Sequence, residues 1–294
     1  MNNVLTLITA SPGDLSDGYV DDIIANLRDL GAETGTVDWL SPSEACDIPF
    51  DGLVPEEAEA AVRSKLPLDR AVQPIKGRRK KLLLADMDST IVTSETLDEL
   101  ADYAGLKDKI AAITARAMNG ELEFQDALYE RVAMLKGLDA GYLDKTMGQI
   151  AYTPGAATLV RTMNANGAHT ALVSGGFRYF TGKVQDALGF DFETGNQLEV
   201  QGGKITGRVI GEIVDKTTKL NTLHALTAER GITLFEALTV GDGANDLPML
   251  QAAGLGVAFH AKPVVINEAR FHVEHAGLEA LLFFQGYRRG EFVS

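Results

Sequence analysis

The chain has 294 residues, 45% of them hydrophobic and 23% charged, and a formal net charge of −14. That length allows one large domain or two unequal ones, and that acidity argues against a surface built for nucleic acid or an anionic membrane. The single cysteine, Cys46, excludes an intrachain disulfide and a thiolate metal cluster.

The opening residues MNNVLTLITASPGD carry no basic segment before a short apolar run, so no secretory leader is expected. Asn3–Thr9 reads as a strand, and Leu15–Gly31 as a helix with Tyr19, Ile23, Ile24, Leu27 and Leu30 at helical spacing. AETGTVDWL and ACDIPFDG read as strands, VPEEAEAAVRSKL as a helix opened by proline, and RAVQPI as a strand. The order β-α-β-β-α-β is the ferredoxin-like pattern. It resembles the small ACT-type domains that accompany amino-acid metabolic enzymes. KGRRKK (Lys76–Lys81) follows and reads, on this acidic background, as a solvated linker. Residues 1–75 are therefore expected to form one α+β unit and residues 76–294 a second that folds and works without it.

From Lys81 onward strands and helices alternate. LLLAD, TALVSGG (Thr170–Gly176), ALTVGD (Ala237–Asp242) and LGVAF (Leu255–Phe259) are short apolar runs, and Thr217–Arg230 is a helix. Alternation of this kind predicts an α/β doubly wound parallel sheet whose ligands bind beyond the carboxyl ends of its strands. Residues 94–153 lack a strand signal and read as several helices, a cap inserted after the first strand of that sheet. LEVQGGKITGRVI (Leu198–Ile210) alternates about Gly202-Gly203 and predicts a hairpin. No apolar run approaches the ~20 residues that span a bilayer, so a soluble cytoplasmic protein is expected.

Carboxylates gather at the predicted strand ends. In ADMDST, Asp86 can attack phosphorus to form an aspartyl-phosphate. Asp88, two positions on and on the same side of an extended chain, can protonate the leaving alkoxide and then activate water. A hard divalent cation, above all Mg2+, would relieve the repulsion between them. TVGDGANDLPML adds Asp242 and Asp246, one to complete a metal site and one to orient it. LVSGGF adds Ser174 and glycine N–H groups that can meet phosphate oxygens. KTTKL offers Lys216 or Lys219 to balance the charge of a phosphoaspartate.

These signals, in this order, resemble the haloacid-dehalogenase-like superfamily over residues 81–294, and within it most closely the phosphoserine phosphatase family. The family pattern falls on Asp86, Asp88, Glu95, Met118, Phe124, Arg131, Ser174, Gly175, Lys219, Asp242, Asn245 and Asp246. The spacing favours Lys219 over Lys216. The resemblance implies Mg2+ held by Asp86, the backbone carbonyl of Asp88 and Asp242, with Asp246 behind them. It implies O-phospho-L-serine as substrate, at the last step of serine biosynthesis. Arg131 would take the serine carboxylate as a bidentate fork and Glu95 the ammonium, with Met118 and Phe124 excluding water. A homodimer is compatible with this reading; a nucleic-acid or membrane partner is not. Two other readings stay open on the residues alone: a capped phosphatase or mutase for a sugar or choline phosphate, and an amino-acid-responsive binding protein. His272 and His275 read as structural, and His260 has no assigned role.

Overall fold

A computed structural model describes residues 1–62, 66–119 and 121–294, with the side chain of Met118 left aside. The chain opens with β1 (Asn3–Thr9), α1 (Asp17–Asp29), β2 (Glu33–Thr34), β3 (Asp38–Ser41), β4 (Ala45–Asp51), α2 (Pro55–Ala60) and β5 (Leu68–Pro74). These strands form one antiparallel sheet in the order β2-β4-β1-β5, with β3 also paired to β4. The order is ferredoxin-like, with the second strand split in two. The split has a visible cause in Pro49. Its carbonyl accepts the Gly35 N–H across this edge, but proline has no N–H to return, so the ladder breaks between β2 and β3. The second helix, expected over Val54–Leu66, ends at Ala60, and part of the remaining stretch, 63–65, lies outside the described residues.

Side-chain alternation gives this sheet two buried faces. Leu5, Leu7, Cys46, Ile48 and Val72 pack beneath the first helix with Ile23 and Leu27. Ile8, Ala45 and Ala71 join the core of the rest of the chain, with Phe283 and Phe284.

The second part comprises β6 (Leu82–Ala85), α3 (Thr96–Asp102), α4 (Lys107–Met118), α5 (Phe124–Met134), α6 (Tyr142–Met147), α7 (Ala156–Ala165), β7 (His169–Phe177), α8 (Arg178–Leu188), β8 (Phe192–Gln201) and β9 (Lys204–Ile210). It continues through α9 (Lys216–Glu229), β10 (Ala237–Gly241), α10 (Leu247–Ala252), β11 (Leu255–Phe259), α11 (Pro263–Glu268), β12 (Phe271–Val273) and α12 (Ala280–Phe284). The sheet order is β12-β11-β10-β6-β7-β8-β9, parallel except for the β8–β9 hairpin. This is the expected doubly wound α/β fold. Strand β12 was not foreseen: Phe271–Val273 is too short for a pattern signal, and LGVAF is therefore not the last strand. Strand β6 is buried on both sides, Leu83 and Ala85 in one core and Leu82 and Leu84 in the other, as a central parallel strand must be. Its parallel neighbours β10 and β7 lie on its two sides, and the strand order reverses there, which places a crevice at its carboxyl end.

The helices α3 to α6 form the inserted cap. Both chain crossings between cap and sheet are pinned together: Thr93 N–H donates to Ala151 O, and Thr153 N–H to Ile91 O, both at 3.0 Å. The hairpin turns at Gly202 and Gly203, both at positive φ, and binds the cap. Gly137 N–H donates to Ile205 O, and Ala140 N–H to Gly203 O.

The linker expectation fails. Arg78 pairs with Asp47 of β4, and Arg79 lies over the Tyr287 ring at 4.1 Å. Lys80 is buried, donating to Gly77 O and Phe235 O; burial pushes its ammonium down to about 8. An acid for Arg78, carbonyls for Lys80 and a ring for Arg79 hold these cations in the joint. Among the described residues, no helix is long and apolar enough to cross a membrane.

Candidate active site

The carboxyl ends of β6, β7 and β10 and the first turn of α9 meet at one point. After β6 the chain turns sharply, with Ser89 in the left-handed region at φ 54°. That turn keeps Asp86 and Asp88 together at the crevice, and the Ser89 hydroxyl donates to Glu95 Oε1 at 2.7 Å. Lys219 is fully buried with its ammonium 2.8 Å from Asp86 Oδ1 and 2.6 Å from Asp246 Oδ1. Burial works against that charge, and Asp246 and Asp86 overcome it, holding the ammonium above its ordinary value. Lys216, the other candidate, is exposed at the start of the helix.

Asp246 is saturated: its Oδ2 accepts the N–H groups of Asp242 and Gly243, both at 3.1 Å, and its Oδ1 takes Lys219. Asp86 spends Oδ1 on the Met87 N–H and Lys219, with no bond to Oδ2 among the described residues. Asp242 accepts from Thr90 Oγ1 at 3.3 Å and lies 3.2 Å from Lys262 Nζ. Asp88 Oδ1 accepts the Thr96 N–H at 2.9 Å. Burial first, then the charge of Asp86, pushes Asp88 up to about 7. Burial and Glu95 do the same for Asp242, and burial and Asp88 for Glu95, each up to about 7. Burial and Asp246 push Asp86 up as well, against Lys219.

Oxygen atoms of Asp86, Asp242 and Asp246 lie within 4.8 Å of one another, a buried set of hard donors that can hold a divalent cation. The charge balance agrees. Acids outnumber cations here: Asp86, Asp88, Glu95, Asp242 and Asp246, with Asp98 behind Arg131, face Lys219, Lys262 and Arg131, an excess of negative charge that a bound cation would offset.

The cap supplies the other wall. Arg131 is buried, donates from Nε to Ala127 O and from Nη1 to Thr114 Oγ1, and makes no bond from Nη2 among the described residues. Thr114 in turn donates to Asp98. Arg131, Glu95, Phe124, Asp86, Asp88, Ser174, Gly175 and Asn245 line one cavity of about 20 Å3. Ser174 Oγ accepts the Gly176 N–H at 2.9 Å, which leaves its O–H free to donate. The side-chain oxygen of Asn245 is buried without a partner. A Cβ on Gly175 would fall 2.5 Å from the Phe124 ring, and one on Gly176 2.5 Å from Asp88 Oδ2. The paired glycines are therefore required by close approach. Outside Phe124 lies a groove of about 420 Å3 that Asp215, Lys216 and Gln125 share.

Every predicted site residue with a described side chain thus reaches this crevice; the side chain of Met118 lies outside the described residues. Sequence reasoning missed Thr96, Thr114, Asp98 and Lys262. Thr96 carries a signal, since it starts a helix directly after Glu95. Lys262 carries none, because its partner Asp242 is 20 residues away.

A central acid-ended parallel strand, a buried lysine between two aspartates and a helical cap define a class of hydrolases. The sequence profile of haloacid dehalogenase-like hydrolases matches residues 83–251, and the chain belongs to that family. Among curated proteins it is 39% identical to a phosphoserine phosphatase of Streptomyces coelicolor, over 97% of this chain and 72% of that one. It is 42% identical to a phosphoserine phosphatase of Archaeoglobus fulgidus, over 74% of this chain and 64% of that longer one. Among solved structures it resembles a phospho-aspartyl intermediate analogue of phosphoserine phosphatase. There the TM-score is 0.68 at 39% identity, covering 70% of this chain and 99% of the other.

Proposed function

We propose that this chain is a Mg2+-dependent phosphatase that hydrolyses O-phospho-L-serine to L-serine and phosphate through an aspartyl-phosphate on Asp86. One observation carries the substrate: a buried arginine and a glutamate of the cap, Arg131 and Glu95, share one cavity with Asp86 and Asp88. A cation and an anion placed together suit a zwitterion, and a sugar phosphate has no use for either.

The Oδ2 of Asp86, which bears no hydrogen bond, attacks phosphorus while Lys219 holds Oδ1. Asp88, near 7 and therefore partly protonated at neutral pH, donates its proton to the departing serine Oγ. The resulting Asp88 carboxylate then takes a proton from the water that attacks the phosphoaspartate, restoring Asp86. The Ser174 hydroxyl and the glycine N–H groups stabilise the phosphoryl oxygens. Asp86, Asp242 and the Asp88 carbonyl would hold Mg2+, with Asp246 beside them gripping Lys219 and the Asp242 and Gly243 N–H groups; the ion would supply charge to the phosphoryl oxygens as they become more negative. A cavity of about 20 Å3 is small for phosphoserine, and the reading includes a cap that moves relative to the sheet to admit it. The division into residues 1–75 and 76–294, with the cap at 94–153, belongs to the same proposal.

Phosphate release from a panel of phosphomonoesters tests the reading. O-Phospho-L-serine should be the preferred substrate with Mg2+, and EDTA should abolish its turnover. Equal rates on a sugar phosphate and an aryl phosphate would overturn it.

A further inference from the structure

Asp69 lies on β5, in the first unit, far along the chain from the acids of the crevice, and yet it is only 4% exposed. Its carboxylate accepts three successive backbone N–H groups: Glu274 at 2.7 Å, His275 at 3.2 Å and Ala276 at 2.8 Å. A carboxylate in such a nest fixes the loop that follows β12, because each N–H would otherwise lack its charged acceptor. The same loop fixes the next one. The Ala276 carbonyl accepts from His260 Nε2 at 3.0 Å, and His260 N–H donates to Val273 O at 2.8 Å.

These bonds hold His260 at φ 43°. That left-handed backbone is costly for a residue with a Cβ and persists only where the surroundings over-determine it. Two residues on, Lys262 donates its N–H to Asp242 O at 3.0 Å and sets its ammonium 3.2 Å from Asp242 Oδ2. The bend at His260 thus aims Lys262 back at the strand end.

We infer that Asp69 is a positioning residue: through the 274–276 loop and the strained His260 it sets Lys262 against Asp242, so the first unit helps frame the cation-holding carboxylates. The inference rests on the proposed role of Asp242 in holding a divalent cation. It assigns Asp69 and His260 no contact with substrate, and it gives the bend at His260 a purpose that packing alone does not require.

The experiment is calorimetric Mn2+ binding to the full chain, with thermal melts to confirm folding. Asp69→Asn should weaken Mn2+ binding about tenfold, the lower end of what a partner behind a metal ligand is worth. His260→Gly keeps the left-handed backbone, frees it from the loop and leaves the Asp69 nest intact; it should give the same loss. The double variant should lose no more than the larger single effect, because both act on one path. Lys262→Ala removes the positioned ammonium itself, and in that background Asp69→Asn should change Mn2+ affinity no further. A folded Asp69→Asn or His260→Gly with wild-type Mn2+ affinity, or losses that simply add, would overturn the inference and leave Asp69 as a tie between the units. Should Asp69→Asn fail to fold, His260→Gly decides alone. A wild-type chain that binds Mn2+ but leaves phosphoserine intact would overturn the proposed reaction and not this one.

Discussion

Asp88 and Arg131 show how burial converts ordinary side chains into reagents. Burial and the neighbouring Asp86 charge push Asp88 up to about 7, where a carboxyl can both donate and accept a proton near neutrality. Asp88→Asn should slow release of serine and hydrolysis of the phosphoaspartate by ~10²–10⁴-fold, measured by burst-phase kinetics. Asp86→Asn should abolish turnover and the covalent phosphoenzyme together; near-wild-type hydrolysis by that variant would end the mechanism. Arg131 lines the cavity while Ala127 and Thr114 hold its Nε and Nη1. Arg131→Ala should lower kcat/KM for phosphoserine by two or more orders of magnitude, the size of a lost buried charge partner, ~2–5 kcal/mol. Hydrolysis of an aryl phosphate should change little, and equal losses on both would assign Arg131 to the fold. The raised acids also fix a pH dependence. In the metal-free chain Asp88, Asp242 and Glu95 hold protons up to about 7, above their unfolded values. The folded state therefore binds more protons than the unfolded one, and this contribution to stability falls as pH rises through about 4 to 7. A divalent cation binds the ionised forms. Mg2+ should thus raise Tm more at pH 8 than at pH 5.5; equal shifts at both would separate these carboxylates from the metal.

At the scale of elements, the cap meets the sheet through contact between a ring and a backbone, Phe124 against Gly175. Gly175→Ala would drive a methyl into the Phe124 ring, and overpacking of this kind costs about 1–3 kcal/mol. Because that cost falls on the closed cap, KM for phosphoserine should rise about tenfold while Tm moves little. Phe124→Leu in the same chain should recover part of the loss. The elements that build this closure were legible to different degrees. Strand β6 and its acids stood out, because a continuous apolar run ending on charge has few explanations. The hairpin at Gly202-Gly203 was equally plain, but its bonds to the cap at Gly137 and Ala140 were not, since pattern says nothing of which distant carbonyl a strand edge meets. Pro49 could have announced the split of the second strand. Lys262, Thr114 and the Asp69 nest depend on side chains brought together over long separations, and local spacing holds no trace of them. The KGRRKK segment misled because its composition reports a preference for water, whereas the ion pair to Asp47 and the ring of Tyr287 decide where it lies.

For the whole molecule, the shared core revises the expectation that residues 76–294 stand alone. Ile8, Ala45 and Ala71 pack into the same cluster as Phe283 and Phe284, Gln73 donates to Phe284 O, and Arg289 pairs with Glu44. A chain starting near Ile75 should therefore melt well below the full-length protein, and its Mg2+ requirement should rise; a truncation with unchanged Tm and metal affinity would restore the modular picture. Strands β5 and β12 end their respective sheets and lie against each other, with the Arg270 guanidinium reaching Val72 O. An outermost strand with unpaired N–H and C=O groups invites pairing with another chain. Here each unit shields the other's open margin, so the joint serves colloidal safety as well as geometry. On a ribosome the first unit is synthesised before β12 emerges, so the chain that covers this strand is present when the strand arrives.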